Sequence, residues 1–263
     1  MVTSSELLAC CTLSYSHPLV AWLVGDSLHP GGLDLTSRLA STMGVAQNAH
    51  VLDVGSGRGA TSVHLAKTIG CDVIGVTVER QGVECGRDLA LSGGVEDRVT
   101  FVQDDFVIAP LQPESFDFVF AECVLSIVDD KEQAIGRLKG FLKPGGRLGV
   151  SDVTADGILP AELHGLLATV GCVGSALSIR GYVELLERAG LVVEHEEPCD
   201  AEVAALLERV DSRLAAAELA IAVGKLQVDR QIVDQGRDLL ESVRDQADSG
   251  VLGYTMLVAS RPV

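Results

Sequence analysis

The chain predicts an α/β fold, a doubly wound and mostly parallel sheet with a helical cap before it and a helical insertion before its last strand. Three observations carry that expectation. From Val51 to Asp152, apolar runs of strand length alternate with stretches whose apolar residues recur at helical spacing. A glycine-rich turn, Gly55-Ser56-Gly57-Arg58-Gly59, stands between the first such strand and the first helix. The 263 residues are enough for one domain of this kind with additions, and short for two equal ones.

The elements follow in chain order. Residues 1–25 carry apolar positions at helical spacing, Leu7, Leu8 and Cys11, then Leu19, Trp22 and Leu23, interrupted at Ser14-Tyr15-Ser16-His17-Pro18. They read as two short helices joined at the proline and packed over the site, and with the loop Gly25–Gly32 and a helix at Leu33–Met43 they make residues 1–45 a cap. Val51-Leu52-Asp53-Val54 is a buried strand broken by one carboxylate, so its end must meet something polar. After a helix, Asp72–Thr77 is the second strand, Gln81–Leu91 a helix, Arg98–Gln103 the third strand and Ser115–Glu122 the fourth. Asp129–Leu142 is a helix that Lys143-Pro144-Gly145-Gly146 stops, and Arg147–Asp152 is the fifth strand. Pro160–Val170 and Arg180–Ala189 read as helices around the loop 171–177, and Leu191–Glu196 as a sixth strand. Ala201–Asp248 keeps a helical period through Val203, Leu206, Leu207, Val210 and Leu214, and reads as an antiparallel pair broken at Gly224 or Gly236. Gly253–Ser260 closes the sheet as an antiparallel strand, so residues 46–200 and 251–263 form the core and 201–250 the insertion.

The spacing of the glycines narrows the chemistry. A dinucleotide fingerprint needs G-x-G-x-x-G, whereas here Ala60 stands where the third glycine belongs and Gly59 arrives one residue early. D-x-G-x-G-x-G, from Asp53 to Gly59, resembles instead the first motif of the class I S-adenosylmethionine (SAM)-dependent methyltransferases. That resemblance implies a seven-stranded, Rossmann-like sheet and SAM as cofactor, with Asp53, Gly55, Ser56, Gly57 and Gly59 lining its methionine end. It places the ribose at the end of the second strand, where Thr77 stands with Glu79 two residues on, and either residue fits the role. Asp105 matches the acid that accepts from the adenine amino group, with Phe106 on the ring, and Glu122 ends the fourth strand facing the cofactor methyl. His29-Pro30-Gly31-Gly32, with Thr36 beyond it, is similar to a segment that precedes the first strand in many of these enzymes.

Composition excludes several partners. A net charge of −17 opposes binding to nucleic acid or an anionic membrane, which leaves a small molecule as the expected partner. No apolar run approaches the roughly 20 residues of a membrane span, and Leu7-Leu8-Ala9-Cys10 lacks the basic start and apolar stretch of a lipoprotein leader. The expected location is cytoplasmic, as a monomer or homodimer. Seven cysteines, with no C-x-x-C pair, argue against a disulfide framework or a zinc site.

The acceptor is the open question. Two runs, Glu122–Lys131 and Cys172–Ser178, resemble arsenite methyltransferases, in which the cysteine matching Cys172 binds trivalent arsenic. The resemblance makes Cys172 the expected substrate ligand and catalytic cysteine, with Cys10, Cys11 or Cys199 supplying further thiolates and His17 near the substrate. A soft As(III) centre prefers thiolates, and its lone pair needs no general base. Two cysteines of that family are missing here, one before the first strand and one near the last. The alternatives are N-, O- or C-methylation of an organic metabolite, with Cys172 a core residue, and SAM binding without turnover. A hydroxyl acceptor calls for a base, for which His17, His29 and His164 are the histidines off the scaffold. No metal is required for in-line displacement at an activated carbon.

Overall fold

A computed structural model of the chain describes residues 29–157, 159–160, 163, 175–223 and 230–263. The expected helices within 1–25, the loop at 171–174 and most of the helix expected at 160–170 lie outside these residues, as do Cys10, Cys11, His17 and Cys172.

The described elements run α1 (Gly32–Met43), β1 (His50–Val54), α2 (Ala60–Ile69), β2 (Asp72–Thr77), α3 (Arg80–Gly93), β3 (Val99–Gln103), β4 (Phe116–Glu122), a single 3₁₀ turn (Leu125–Ile127), α4 (Lys131–Phe141), β5 (Leu142–Ala155), α5 (Ile179–Arg188), β6 (Val192–Pro198), α6 (Asp200–Ala222), α7 (Arg230–Asp248) and β7 (Leu252–Ser260). They build one seven-stranded sheet in the order β3-β2-β1-β4-β5-β7-β6. β1 to β5 are parallel, and β7 runs antiparallel between β5 and β6. The chain leaves β1 in one direction through β2 and β3 and returns to β4 on β1's other side. The crevice between β1 and β4 is therefore the switch point, where ligands of such sheets bind.

Strand alternation divides the core. Val51 and Phe120 point to the face covered by α1, α2, α3, α6 and α7, where they share a core with Leu35, Leu39, Leu65, Val83 and Leu207. Leu52, Val119 and Val150 point to the other, under Ile135 and Leu138 of α4 and Tyr182 and Leu186 of α5.

Two boundaries differ from expectation for physical reasons. α4 starts at Lys131 because the Asp130 side chain caps it, accepting from the Gln133 amide at 2.9 Å. It ends at Phe141, before Lys143-Pro144-Gly145-Gly146, because Leu142 already pairs with Phe116 of β4; the glycines fall inside β5, where the register shifts and Phe118 pairs with Arg147. Within the described residues the long insertion is two helices, α6 ending at Ala222 and α7 running from Arg230 with Gly236 inside it against Leu214; Gly224 lies outside the described residues. Arg237 pairs with Asp211 and Glu218, and Arg244 with Asp211, which makes the pair antiparallel.

Candidate active site

The site begins with backbone geometry. Gly55, Gly57 and Gly59 have φ of 66°, 50° and 85°, in the left-handed region that side chains avoid. Space demands glycine as well: a Cβ on Gly59 would stand 2.5 Å from the Phe101 ring, and one on Gly55 would stand 2.5 Å from Val124. The loop is tied to the sheet by the Ser56 amide, which donates to Val76 O at 2.9 Å, and to itself by the Gly59 amide on Ser56 O at 2.8 Å. Ser56 Oγ is buried without a hydrogen-bond partner among the described residues, a cost that a ligand hydrogen bond would remove.

Below the loop lie two buried carboxylates. Asp53, at 2% exposure, accepts from Ser62 Oγ at 2.5 Å; burial, with Glu122 nearby adding to it, raises its pKa to about 7. Glu122, ending β4, collects hydroxyl donors from three elements: Thr36 of α1 reaches both oxygens at 3.1 Å, Thr61 of α2 one at 2.6 Å, and Ser151 of β5 the other at 3.4 Å. His29 Nε2 faces the same carboxylate at 3.7 Å. Tyr254 extends the cluster, donating to Ser151 Oγ at 3.2 Å and meeting Cys123 Sγ at 3.3 Å, and burial holds its phenol well above the usual range.

The remaining edge lies along β2 and β3. Thr77 is buried and its Oγ1 accepts from the Glu79 amide at 3.3 Å, while Glu79 is half-buried at the start of α3. Asp105 caps its own turn, accepting from the Val107 amide at 2.9 Å, and Asp104 accepts from the Asp105 amide at 2.8 Å. Phe106 is 7% exposed and packs in the core cluster on the α4 side of the sheet. Across β4, Asp152 is fully buried and holds the loop after that strand: Oδ2 accepts from the amides of Leu125 at 2.8 Å and Ser126 at 3.1 Å, and Oδ1 from Val153 at 2.8 Å. Burial raises its pKa to about 6.

The fold thus brings Asp53, the glycine loop, Thr77, Asp105, Phe106 and Glu122 to the carboxyl ends of β1 to β4. Cys199 is elsewhere, at the end of the edge strand β6, where its thiol is 3.2 Å from the Arg38 guanidinium and 3.5 Å from Glu197 O, and burial raises its pKa. Thr61, Ser62, Ser151, Asp152 and Tyr254 join the site without having been read from the sequence. Thr61-Ser62 opens the helix after the glycine turn, a place where a hydroxyl pair facing a strand-end acid is a usable signal.

A sequence profile of the family described as "Methyltransferase domain" matches residues 46–190, more than half of the chain. The chain belongs to the SAM-dependent methyltransferases. It is similar to the methyltransferase GfsG of Streptomyces halstedii, 34% identical over 63% of this chain and 61% of that protein, so it spans about three fifths of that relative's length. It is 29% identical, over 93% of both chains, to the 27-O-demethylrifamycin SV methyltransferase of Amycolatopsis mediterranei. Among solved structures, the [4+2]-cyclase SpnF has the same fold, with a TM-score of 0.81 at 23% identity over 99% of this chain and 97% of that one. The phosphoethanolamine N-methyltransferase 2 of Haemonchus contortus, solved with SAM, has a TM-score of 0.77 at 19% identity over 99% of this chain and 58% of that one.

The methyltransferase's cofactor is SAM, and the crevice fits it. The glycine loop leaves room for a ligand against backbone, Ser56 Oγ awaits a partner, and two buried acids favour the cationic ammonium and sulfonium. No helix among the described residues is long and apolar enough to cross a membrane.

Proposed function

We propose that this methyltransferase transfers the methyl group of SAM to a hydroxyl oxygen of a complex organic metabolite. The observation that carries this reading is the alignment with the 27-O-demethylrifamycin SV methyltransferase, which runs over 93% of both chains and so includes the cap and insertion that would shape a substrate pocket. Two further relatives named as O-methyltransferases, from Aspergillus sclerotiorum and Pyrenophora dematioidea, point the same way at 31% and 28% identity. A plant N-methyltransferase, norajmaline N-methyltransferase, is about as similar at 29% over roughly half of each chain, so an amine is the second acceptor to test.

In this reading Asp53, Gly55, Ser56, Gly57 and Gly59 hold the amino-acid end of SAM, Thr77 with Glu79 the ribose, and Asp105 beside Phe106 the adenine. When bound, SAM supplies a methyl carbon already activated by its positive sulfur. The protein aligns acceptor with methyl and keeps water away.

Arsenic as acceptor has lost ground. Cys199 is engaged with Arg38 and Glu197 at the far edge of the sheet, and the named relatives act on organic substrates. The test is mass-spectrometric detection of methylated product with SAM and, separately, 27-O-demethylrifamycin SV, norajmaline and glutathione-complexed arsenite. The reading predicts methylation of the hydroxyl compound; turnover of arsenite alone, abolished by Cys172→Ser, would overturn it in favour of thiol-held arsenic.

A further inference from the structure

The histidine before α1 has an arrangement that a structural role does not require. His29 is 7% exposed, and its Nδ1 lies 3.1 Å from the carbonyl oxygen of Pro30. A carbonyl only accepts, so Nδ1 carries the hydrogen and the neutral ring presents an unprotonated Nε2. That Nε2 is buried, makes no hydrogen bond among the described residues, and faces Glu122 Oε2 at 3.7 Å. Glu122 in turn takes hydroxyl hydrogens from Thr36, Thr61 and Ser151, the pattern a carboxylate accepts. A lone pair facing a carboxylate is unfavourable until Nε2 gains a proton, and then the two attract. The pair is therefore built to receive a proton at the carboxyl end of β4, beside the glycine loop.

We infer that His29 is the catalytic base, with Glu122 as its positioning residue, for an acceptor that must lose a proton. This rests on the O-methylation reading. The acceptor oxygen attacks the methyl carbon, the carbon–sulfur bonding pair stays on sulfur, and the O–H proton passes to His29 Nε2. The resulting imidazolium is held between Pro30 O and the Glu122 carboxylate. Among the described residues, the other titratable groups around the pair include Asp53 on β1 and His64 on α2, both sensing the charge of Glu122, Tyr254 and Cys123, which reach Glu122 through Ser151, and Asp34 on α1, near His64.

Two measurements on the full chain test this. The first needs no acceptor: long-range proton–nitrogen NMR of the imidazoles, with the His29 signals assigned by their loss in His29→Gln. The inference predicts the Nδ1–H tautomer in the neutral ring and a change of the His29 ring signals in Glu122→Gln, since Nε2 faces that carboxylate. An Nε2–H tautomer, or His29 signals indifferent to Glu122→Gln, overturns it. The second is turnover of 27-O-demethylrifamycin SV against pH. His29→Gln should lower kcat about 100-fold or more near neutrality, remove the acidic limb of the profile and recover rate at alkaline pH, with SAM affinity unchanged. A variant that keeps its rate and acidic limb overturns the assignment. Absence of any hydroxyl methylation by the wild type counts against O-methylation itself, while the NMR result still decides whether the pair is wired to take a proton.

Discussion

The two halves of the sheet hold their charges in opposite ways. At the carboxyl ends of β1, β4 and β5, Asp53, Glu122 and Asp152 are nearly or fully buried and answered by hydroxyls and amides, with no lysine or arginine salt bridge among the described residues. On the far side, α6 and α7 carry their charges in water and pair them with each other, Arg237 with Asp211 and Glu218 and Arg244 with Asp211, while Arg38 of α1 meets Glu197 of β6 and Glu202 of α6. Burying an acid without a counter-cation costs stability, whereas exposed pairs change it little. The first arrangement is tolerable in an enzyme whose ligand is itself a cation, and the second only keeps a helical hairpin in register.

Substitution separates the two regions. The largest effect is expected at Gly59→Val, where a left-handed backbone and a Cβ 2.5 Å from Phe101 and 2.9 Å from Gly86 combine. Denaturant unfolding should show a loss of roughly 2–5 kcal/mol, and calorimetry no SAM binding. Asp152→Ala removes the acceptor of the Leu125 and Ser126 amides, and should cost about 2–5 kcal/mol in the same unfolding assay.

The pH dependence gives an intermediate effect with a definite sign. Burial lifts the Asp53 and Asp152 carboxyls in the folded protein to about 7 and about 6, above the 3.8 of a free aspartate side chain. Between about pH 4 and 7 the folded chain keeps protons that the unfolded chain has released, so this contribution to stability is present below pH 4 and is lost as pH rises. Asp53→Asn should flatten the decline by on the order of 4 kcal/mol at most, read as the Tm of the SAM-free protein against pH. A wild type whose Tm climbs across that window just as the variant's does would break the contrast. Arg237→Ala is the smallest: separating the exposed pairs should move Tm by no more than about 3 °C.

Much of the first region was legible because its constraints are local. Positive φ at alternate residues needs glycine, a buried strand needs apolar residues, and Asp53 among Val51, Leu52 and Val54 announces a polar neighbour. The partners of Glu122 were not legible as a set, since Thr36, Thr61 and Ser151 lie 86, 61 and 29 residues away and meet only after the crossovers are made. The start of β5 was misjudged because Pro144, Gly145 and Gly146 read as a helix stop, while the pairing of Leu142 with Phe116 decides the boundary from outside. The resemblance to arsenite enzymes rested on short runs around Cys123 and Cys172. Cys123 sits at φ 53° with its thiol 3.3 Å from the Tyr254 hydroxyl.

The account stands on where the cofactor binds. A crystal structure with S-adenosylhomocysteine should show its amino-acid end against residues 53–59, within reach of Ser56 Oγ, and its adenine near Asp105 and Phe106. Density for the nucleoside anywhere else on the chain, with the crevice between β1 and β4 closed, would contradict it.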